Sequence, residues 1–324
     1  MAYFLISVSN RKNLGLCENY ALAGFTNSIN GVWTFSEIQE GDYISFLYGA
    51  KAHNLYRVEG KEAIRGAHNL PPWDPVTFKM SGITYYFPFR LNLTPIRKLN
   101  ESLVRTEFAY VAENLLLRGG YRKTHFQADQ TTLQSTSQLG ELYNEAIAKL
   151  NLSEYETFMP RFTKSKDKLS PPEIFRFIEF ILQAAIRQHL SEEQNLDAFL
   201  RQIGIETLDT SKLEILGEKA LAEGHIDILI KEAIPIGRAR KIIIEVKTGL
   251  AKPQDINQLS MYLDEFGNEC LAAVLIAKDF SRKVLQEAKR QRISTFVYRL
   301  DMIESGIPVT FNELKEDLQL IKVN

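Results

Sequence analysis

Two stretches decide how the second half of this chain is read: GHIDILI, residues 224–230, and KIIIEVKTG, residues 241–249. Both have the apolar character of buried strands, yet each carries an acid. Asp227 stands among isoleucines and a leucine, and Glu245 follows three isoleucines. An ionised carboxylate planted in a buried strand is costly unless it is paired or binds a cation. Side chains two apart on a strand share a face, so Glu245 and Lys247 point one way and Val246 the other. The intervening KEAIPIGRAR, residues 231–240, has the length of a hairpin connection and would bring Asp227 alongside Glu245.

That pairing suggests a chemistry. Hydrolysis of a phosphodiester calls for a divalent cation to generate hydroxide and to neutralise charge on the phosphate, and hard cations are held by carboxylates. A lysine on the same face can orient the attacking water or offset charge in the transition state. The plainer alternative makes Asp227 and Glu245 strand-end acids and Lys247 a surface ion-pair partner. Against it stand the apolar strand before the E-x-K triplet, the second acid 18 residues upstream, and a following helix with Gln258 and Tyr262.

Working outward, Ser170-Pro171-Pro172 predicts a helix start, with the helix continuing from Glu173 to Leu190, and a second helix spans Gln194 to Ile203 before Gly204. Then come the two strands, a helix from Asp255 to Phe266, a buried strand LAAVLIA (271–277), a basic helix over 281–292 and the strand STFVYRL (294–300). This order predicts an α/β domain over residues 169–324, a central mixed sheet flanked by helices.

GHIDILI, IIIEVKTG and DINQLSMY (255–262) resemble the PD-(D/E)xK nucleases, particularly their RecB-like and Mrr-like branches, over about 130 residues. The resemblance implies that Asp227 and Glu245 bind Mg²⁺, with Mn²⁺ accepted. It also implies that Lys247 assists catalysis, that Gln258 supports the site, and that an acid on the first helix joins it. Either Glu173 or Glu179 fits that last role, and Glu179 suits the Mrr-like pattern better. His225 departs from the commoner small or apolar residue of the pattern, which favours a local structural role over substrate contact.

The first hundred residues alternate short β-rich runs with turn signals: YFLISVS (3–9), YISFLYG (43–49), NLYRVEG (54–60) and ITYYFPFRLNL (83–93). They predict an α+β domain built on a small barrel or half-barrel over residues 1–120, with a helix from Ser102 to Leu117 ended by Gly119-Gly120. Residues 121–168 are read as a linker region with a helical segment at ELYNEAIAKLNL (141–152). Both tryptophans of the chain fall in the first domain, Trp33 in NGVWT and Trp73 in PPWDP, in settings that read as turns. Either each stitches a small core together, or two exposed indoles sandwich a planar base.

YFLISVSN, NGVWT, YISFLYG and W...FKMSGITYYFPFRL resemble the YTH/EVE group of PUA-like domains over nearly all of residues 1–100. By that resemblance Trp33 and Trp73 are two walls of a cage for a methylated base, N6-methyladenine ahead of 5-methylcytosine. Met80 or Ser81 falls near the third wall, and Asn10 contacts the base edge. A reader ahead of a nuclease implies a modification-dependent DNA endonuclease that flips a methylated base and acts as a homodimer. The rivals are a repair or RNA-processing nuclease and a catalytically silent nucleic-acid-binding protein.

Bulk properties bound these readings. With 45% apolar and 24% charged residues the composition is that of an ordinary globular protein. The net charge of -1 excludes a globally basic nucleic-acid binder, leaving local patches at Arg161, Lys164, Lys166 and Lys168 and along Lys278 to Arg292. Cys17 and Cys270 form no disulfide framework and fit a reducing cytoplasm. No run is apolar and long enough to span a bilayer, and no GxxxxGK[ST] signature announces a nucleotide cofactor.

Overall fold

The structure is a computed structural model and describes residues 1–49, 51–79, 81–99, 124–152, 154–221, 224–234 and 236–323. The described residues form two compact units that divide between Arg176 and Phe177. The helix expected over 102–117 lies outside the described residues. Among those described, no helix is long and apolar enough to cross a membrane, and both cysteines are free.

The first unit runs β1 (Tyr3–Ser7), α1 (Arg11–Tyr20), β2 (Leu22–Phe25), α2 (Ile29–Glu37), β3 (Tyr43–Tyr48), β4 (Lys51–Ile64), β5 (Val76–Thr77), β6 (Thr84–Tyr85), β7 (Phe89–Lys98), β8 (His125–Ala128), α3 (Gln130–Ser137), β9 (Glu141–Leu142), β10 (Thr157–Phe158), β11 (Arg161–Thr163) and β12 (Ile174–Arg176). Its main sheet has the order β2-β7-β4-β3-β1-β8, with β10 against β4 and β9 against β7. Only β1 and β3 pair in parallel within it. Closure would require β2 to meet β8, and among the described residues these strands do not pair, so the described sheet, expected as a barrel or half-barrel, is open.

Residues 121–168 are also not a linker. Within them, β8 zips antiparallel to β1, and β9 and β10 extend β7 and β4, so backbone pairing ties this segment into the first unit. ELYNEAIAKLNL is not helical: it gives β9 and then irregular chain.

NGVWT belongs to α2 rather than to a turn. The Ser28 hydroxyl caps the helix by accepting from the Gly31 amide at 3.2 Å, which overrides the turn preference of Asn30-Gly31. Gly31 serves close packing: a Cβ there would stand 1.8 Å from the Thr26 carbonyl oxygen.

The second unit runs α4 (Glu179–Leu190), α5 (Glu193–Gln202), β13 (Leu213–Leu221), β14 (Gly224–Glu232), β15 (Lys241–Leu250), α6 (Pro253–Phe266), β16 (Cys270–Asp279), α7 (Arg282–Arg290), β17 (Ile293–Arg299), α8 (Asp301–Glu304), β18 (Val309–Thr310), α9 (Phe311–Asp317) and β19 (Gln319–Lys322). Its sheet is mixed, in the order β13-β14-β15-β16-β17-β19, antiparallel at both flanks and parallel from β15 to β17. Helix α4 packs on β13 to β15, α6 on β15 and β16, and α7 on β17. Ile242 to Ile244 and Val274 to Ile276 are at most 1% exposed and form its core.

The first helix of this unit starts at Glu179 and not at Pro171. Residues before proline are pushed out of the helical region, and the chain stays extended through β12, which pairs with β11. β13 was not anticipated from the sequence.

Helix propensity alone would have Gly31→Ala stabilise α2 by about 1 kcal/mol. The Thr26 carbonyl reverses the sign: we expect a loss of about 2 kcal/mol or more, as for other overpacked sites. A lower urea midpoint for the first unit's transition would show it; an unchanged or higher midpoint would refute it.

Candidate active site

The ladder between β14 and β15 runs from Lys231↔Lys241 to Ile228↔Ile244 and then stops. The next step would set Asp227 opposite Glu245. There the Asp227 carboxylate accepts the Val246 amide at 2.7 Å, taking the place of a strand carbonyl. β15 continues beside β16 through Lys247↔Ala277, so Glu245 and Lys247 stay on a strand held from the other side.

Lys247 Nζ donates to Glu245 Oε1 at 2.6 Å and lies 3.6 Å from Glu179 Oε1. Glu179 Oε2 also accepts the Thr248 amide at 3.3 Å. Asp227, Glu245, Lys247 and Glu179 are thus brought together around the middle of β15. Glu173 is not among them: it belongs to the first unit, where Arg65 grips both its oxygens at 2.8 and 2.9 Å. Gln258 stands one step back, donating to the Tyr262 hydroxyl at 2.6 Å, and that hydroxyl donates to the His225 carbonyl at 3.1 Å. The His225 side chain itself is exposed. Gly224, with φ 154°, leaves the room the Tyr262 hydroxyl needs, since a Cβ there would lie 2.4 Å from it.

Two contributors carried no sequence signal. Tyr298 on β17 donates to the Thr248 carbonyl at 2.8 Å and pins the end of the site strand. Glu218 on β13 falls between the pairs Gly217↔Ile228 and Lys219↔Ile226, across from Asp227, with φ 46°. A non-glycine residue in that region stores strain, which persists where surrounding structure over-determines it.

Burial and mutual proximity perturb the charges of this cluster. Burial, and then repulsion from Glu245, push the Asp227 carboxyl well above its ordinary value, with Lys247 and the Val246 amide opposing. Burial raises Glu245 to about 7 against the pull of Lys247. For Lys247 burial works against the charge, but Glu245 and Asp227 outweigh it and hold the ammonium above the usual lysine range.

Glu245 Oε2 is buried and accepts no hydrogen bond. Among the described residues no three His, Cys, Asp or Glu side chains converge on a common point. Two carboxylates with an unsatisfied buried oxygen match the sparse donor set of Mg²⁺, which usually keeps several waters and takes one or two carboxylates.

The tryptophans of the first unit are both 5% exposed, which corrects the expectation of two open indole faces. Trp33 packs edge-on against His125, ring centroids 4.6 Å apart. His125 in turn meets Thr34 Oγ1 and Glu37 Oε2, each at 2.8 Å, and so bolts α2 to β8. Trp73 fills space that only a glycine at position 24 leaves open, with Phe87 at 5.4 Å and the Arg90 guanidinium over its ring at 5.6 Å. Asn10 caps α1 by accepting the Asn13 amide at 2.8 Å, and it is exposed. Ser81 is exposed, and Met80 lies outside the described residues.

No protein-family model matches the chain, and no match is found among curated proteins. Among solved structures it is similar to an EndoMS–dsDNA complex (18% identity, TM-score 0.23, 32% of this chain and 42% of that one). It is similar also to the DNA modification-dependent restriction endonuclease AspBHI (12% identity, TM-score 0.20, 85% and 63%). A third is the MspJI restriction endonuclease with a 27-mer oligonucleotide (8% identity, TM-score 0.18, 96% and 66%). The chain therefore spans less than two thirds of each of these proteins, and likeness at such TM-scores transfers nothing to it.

The raised carboxyls set a pH dependence. Because Glu245 and Asp227 bind protons more tightly folded than unfolded, their stabilising contribution is complete below the unfolded carboxyl range. It fades as pH rises through about 7. In chelator, the parent protein should therefore lose more thermal stability between pH 5 and pH 8 than Glu245→Gln does. Equal pH slopes for the two proteins would contradict the assignment.

Proposed function

We propose that this protein is a divalent-metal-dependent endonuclease acting on DNA. The observation that carries the reading is the unpartnered, buried Glu245 Oε2 beside Asp227, with Lys247 on the same strand face. Asp227 and Glu245 would hold Mg²⁺, or Mn²⁺ through the same oxygens. When bound, such a cation supplies Lewis-acid neutralisation of a phosphodiester.

The protein's own groups then have distinct tasks. Lys247, kept cationic by its two carboxylate neighbours, offers positive charge and does not take up a proton. Glu179 braces Lys247 and the Thr248 amide, while Gln258 and Tyr262 hold the backbone beside Asp227 through His225. Cutting both strands with one such site per chain would call for a homodimer on DNA.

The motif resemblance supports a modified-base reader in the first unit, using Trp33, Trp73 and Asn10 for N6-methyladenine, or next 5-methylcytosine. Extruding a base costs a few kcal/mol, and uncovering buried indoles would add to that. The burial of both tryptophans favours a second reading, a repair or RNA-processing nuclease whose first unit reads no methyl group.

One plasmid, prepared unmethylated, adenine-methylated and cytosine-methylated, separates these. With Mg²⁺ we expect cleavage, and we expect Asp227→Asn, Glu245→Gln or Lys247→Ala to slow it by about a hundredfold or more, the scale of losing one preorganised charge contact. An Asp227→Asn protein as fast as the parent would sink the nuclease site. Preference for one methylated form, abolished by Trp33→Ala, supports the reader; equal cutting of all three puts the second reading ahead.

A further inference from the structure

The basic run from Lys278 to Arg292 is not absorbed by the site. Ser281 caps α7, its hydroxyl accepting the Val284 amide at 3.3 Å, and the helix buries only Val284 and Ala288. Arg282, Lys283, Gln286, Lys289 and Arg290 are exposed. At 3.6 residues per turn these five fall within an arc of about 120°, opposite the buried pair.

Acids answer only part of this charge. Glu287 pairs with Arg290 at 2.6 Å, and Lys278 pairs with Glu304 at 2.8 Å. Among the described residues Arg282, Lys283, Lys289 and Arg292 are in no ion pair, in a chain whose net charge is -1. A long exposed side chain that is not paired keeps its rotamer freedom and is free to meet an external anion.

Position supplies the second argument. β15 and β16 run parallel, with Lys247 beside Ala277 and Leu250 beside Asp279, and the Ala251 amide bonds the Asp279 carbonyl at 3.0 Å. Helix α7 begins three residues after Asp279, so Arg282 and Lys283 follow the carboxyl end of β16, whose neighbour β15 carries Glu245, Lys247 and Thr248 two to five residues before its own end. The remaining cations continue along a helix about 13 Å long. Duplex DNA presents about one phosphate charge per 1.7 Å of axis, so a face of that length meets several phosphates at once.

We propose that the exposed face of α7, through Arg282, Lys283 and Lys289, is a docking track for the phosphate backbone of the DNA duplex that enters the Asp227–Glu245 site. The inference rests on the nuclease reading for its choice of DNA. Contacts of this kind position a duplex without reading its sequence, so the track serves modified and plain DNA alike.

The test is fluorescence anisotropy of a labelled 30-mer duplex in chelator, titrated across salt concentrations, which needs no cleavage. Replacing Arg282, Lys283 and Lys289 with Gln should weaken binding equally for methylated and plain duplexes. It should also flatten the slope of log affinity against log salt by roughly two to three, at about 0.9 per lost phosphate contact. The control Arg201→Gln with Lys212→Gln, exposed cations already paired to Asp197 and Asp209, should leave the slope unchanged. An unchanged slope in the triple variant, no binding by the parent, an equal effect of the control, or tighter binding of duplex RNA than of DNA would each overturn the track. A melting temperature for each variant shows whether it is folded. Failure of plasmid cleavage with an intact salt effect would instead count against the nuclease site and leave the track standing.

Discussion

An antiparallel ladder that ends one residue early is the feature on which the second unit's site depends. Beyond Ile228↔Ile244 the two strands no longer exchange backbone bonds, and a side-chain carboxylate takes the Val246 amide. The parting leaves room for a second carboxylate next to the first without unpairing β15, because β16 holds its other edge. Two buried tyrosine hydroxyls then fix the neighbouring backbone: Tyr262 holds the His225 carbonyl and Tyr298 the Thr248 carbonyl. Positions set by sheet and buried hydroxyls lose little entropy when a reaction begins, and this is how a rigid scaffold preorganises a charged site.

In the first unit the equivalent role falls to buried polar contacts between distant segments. His125 lies between Thr34 and Glu37, 91 and 88 residues away in the chain, and carries Trp33 on its edge. Trp73 has different neighbours, packing over Gly24 under the guanidinium of Arg90. Each indole therefore secures a separate piece of the α/β interface within this unit. Any ligand that reaches either one must compete with that packing, so an indole here can report a base only by giving up stability.

How much of this was legible in the sequence differs between the halves for a physical reason. Around Asp227 and Glu245 the signal is local, an acid inside an apolar strand with a hairpin-length connection, and the four expected strands and four expected helices occur in the predicted order, whereas β13 and the elements after β17 were not expected. What failed there was also local in origin: Pro171-Pro172 looks like a helix start until β12 pairs with β11, and β13, with Gly217 and Glu218 at its centre, lacks the alternation of a strand. In the first half, NGVWT reads as a turn because Asn-Gly favours one. The deciding groups, the Thr26 carbonyl and His125, act through close approach or across the sheet, and no periodicity encodes that. The extent of the sheet and the linker were misplaced together, since β8, the strand at the far edge, comes from the segment assigned to the linker.

The charge at the site gives the arrangement its chemical direction. Asp227, Glu245 and Glu179 face the single ammonium of Lys247, a formal excess of two negative charges when all three are ionised, and the raised proton affinities of Asp227 and Glu245 measure how poorly the fold alone satisfies them. A site left in that state repels a phosphodiester. Protonating one carboxyl lessens the repulsion but removes a cation ligand, whereas in the proposed reading a divalent ion would cancel the excess charge and keep both ligands. The pair is thus destabilising in the free protein, and the proposed reading gives that cost a use: a cation held between the carboxylates and a phosphate. Strain of this kind, concentrated where the ladder parts, is the signature of a site kept for binding.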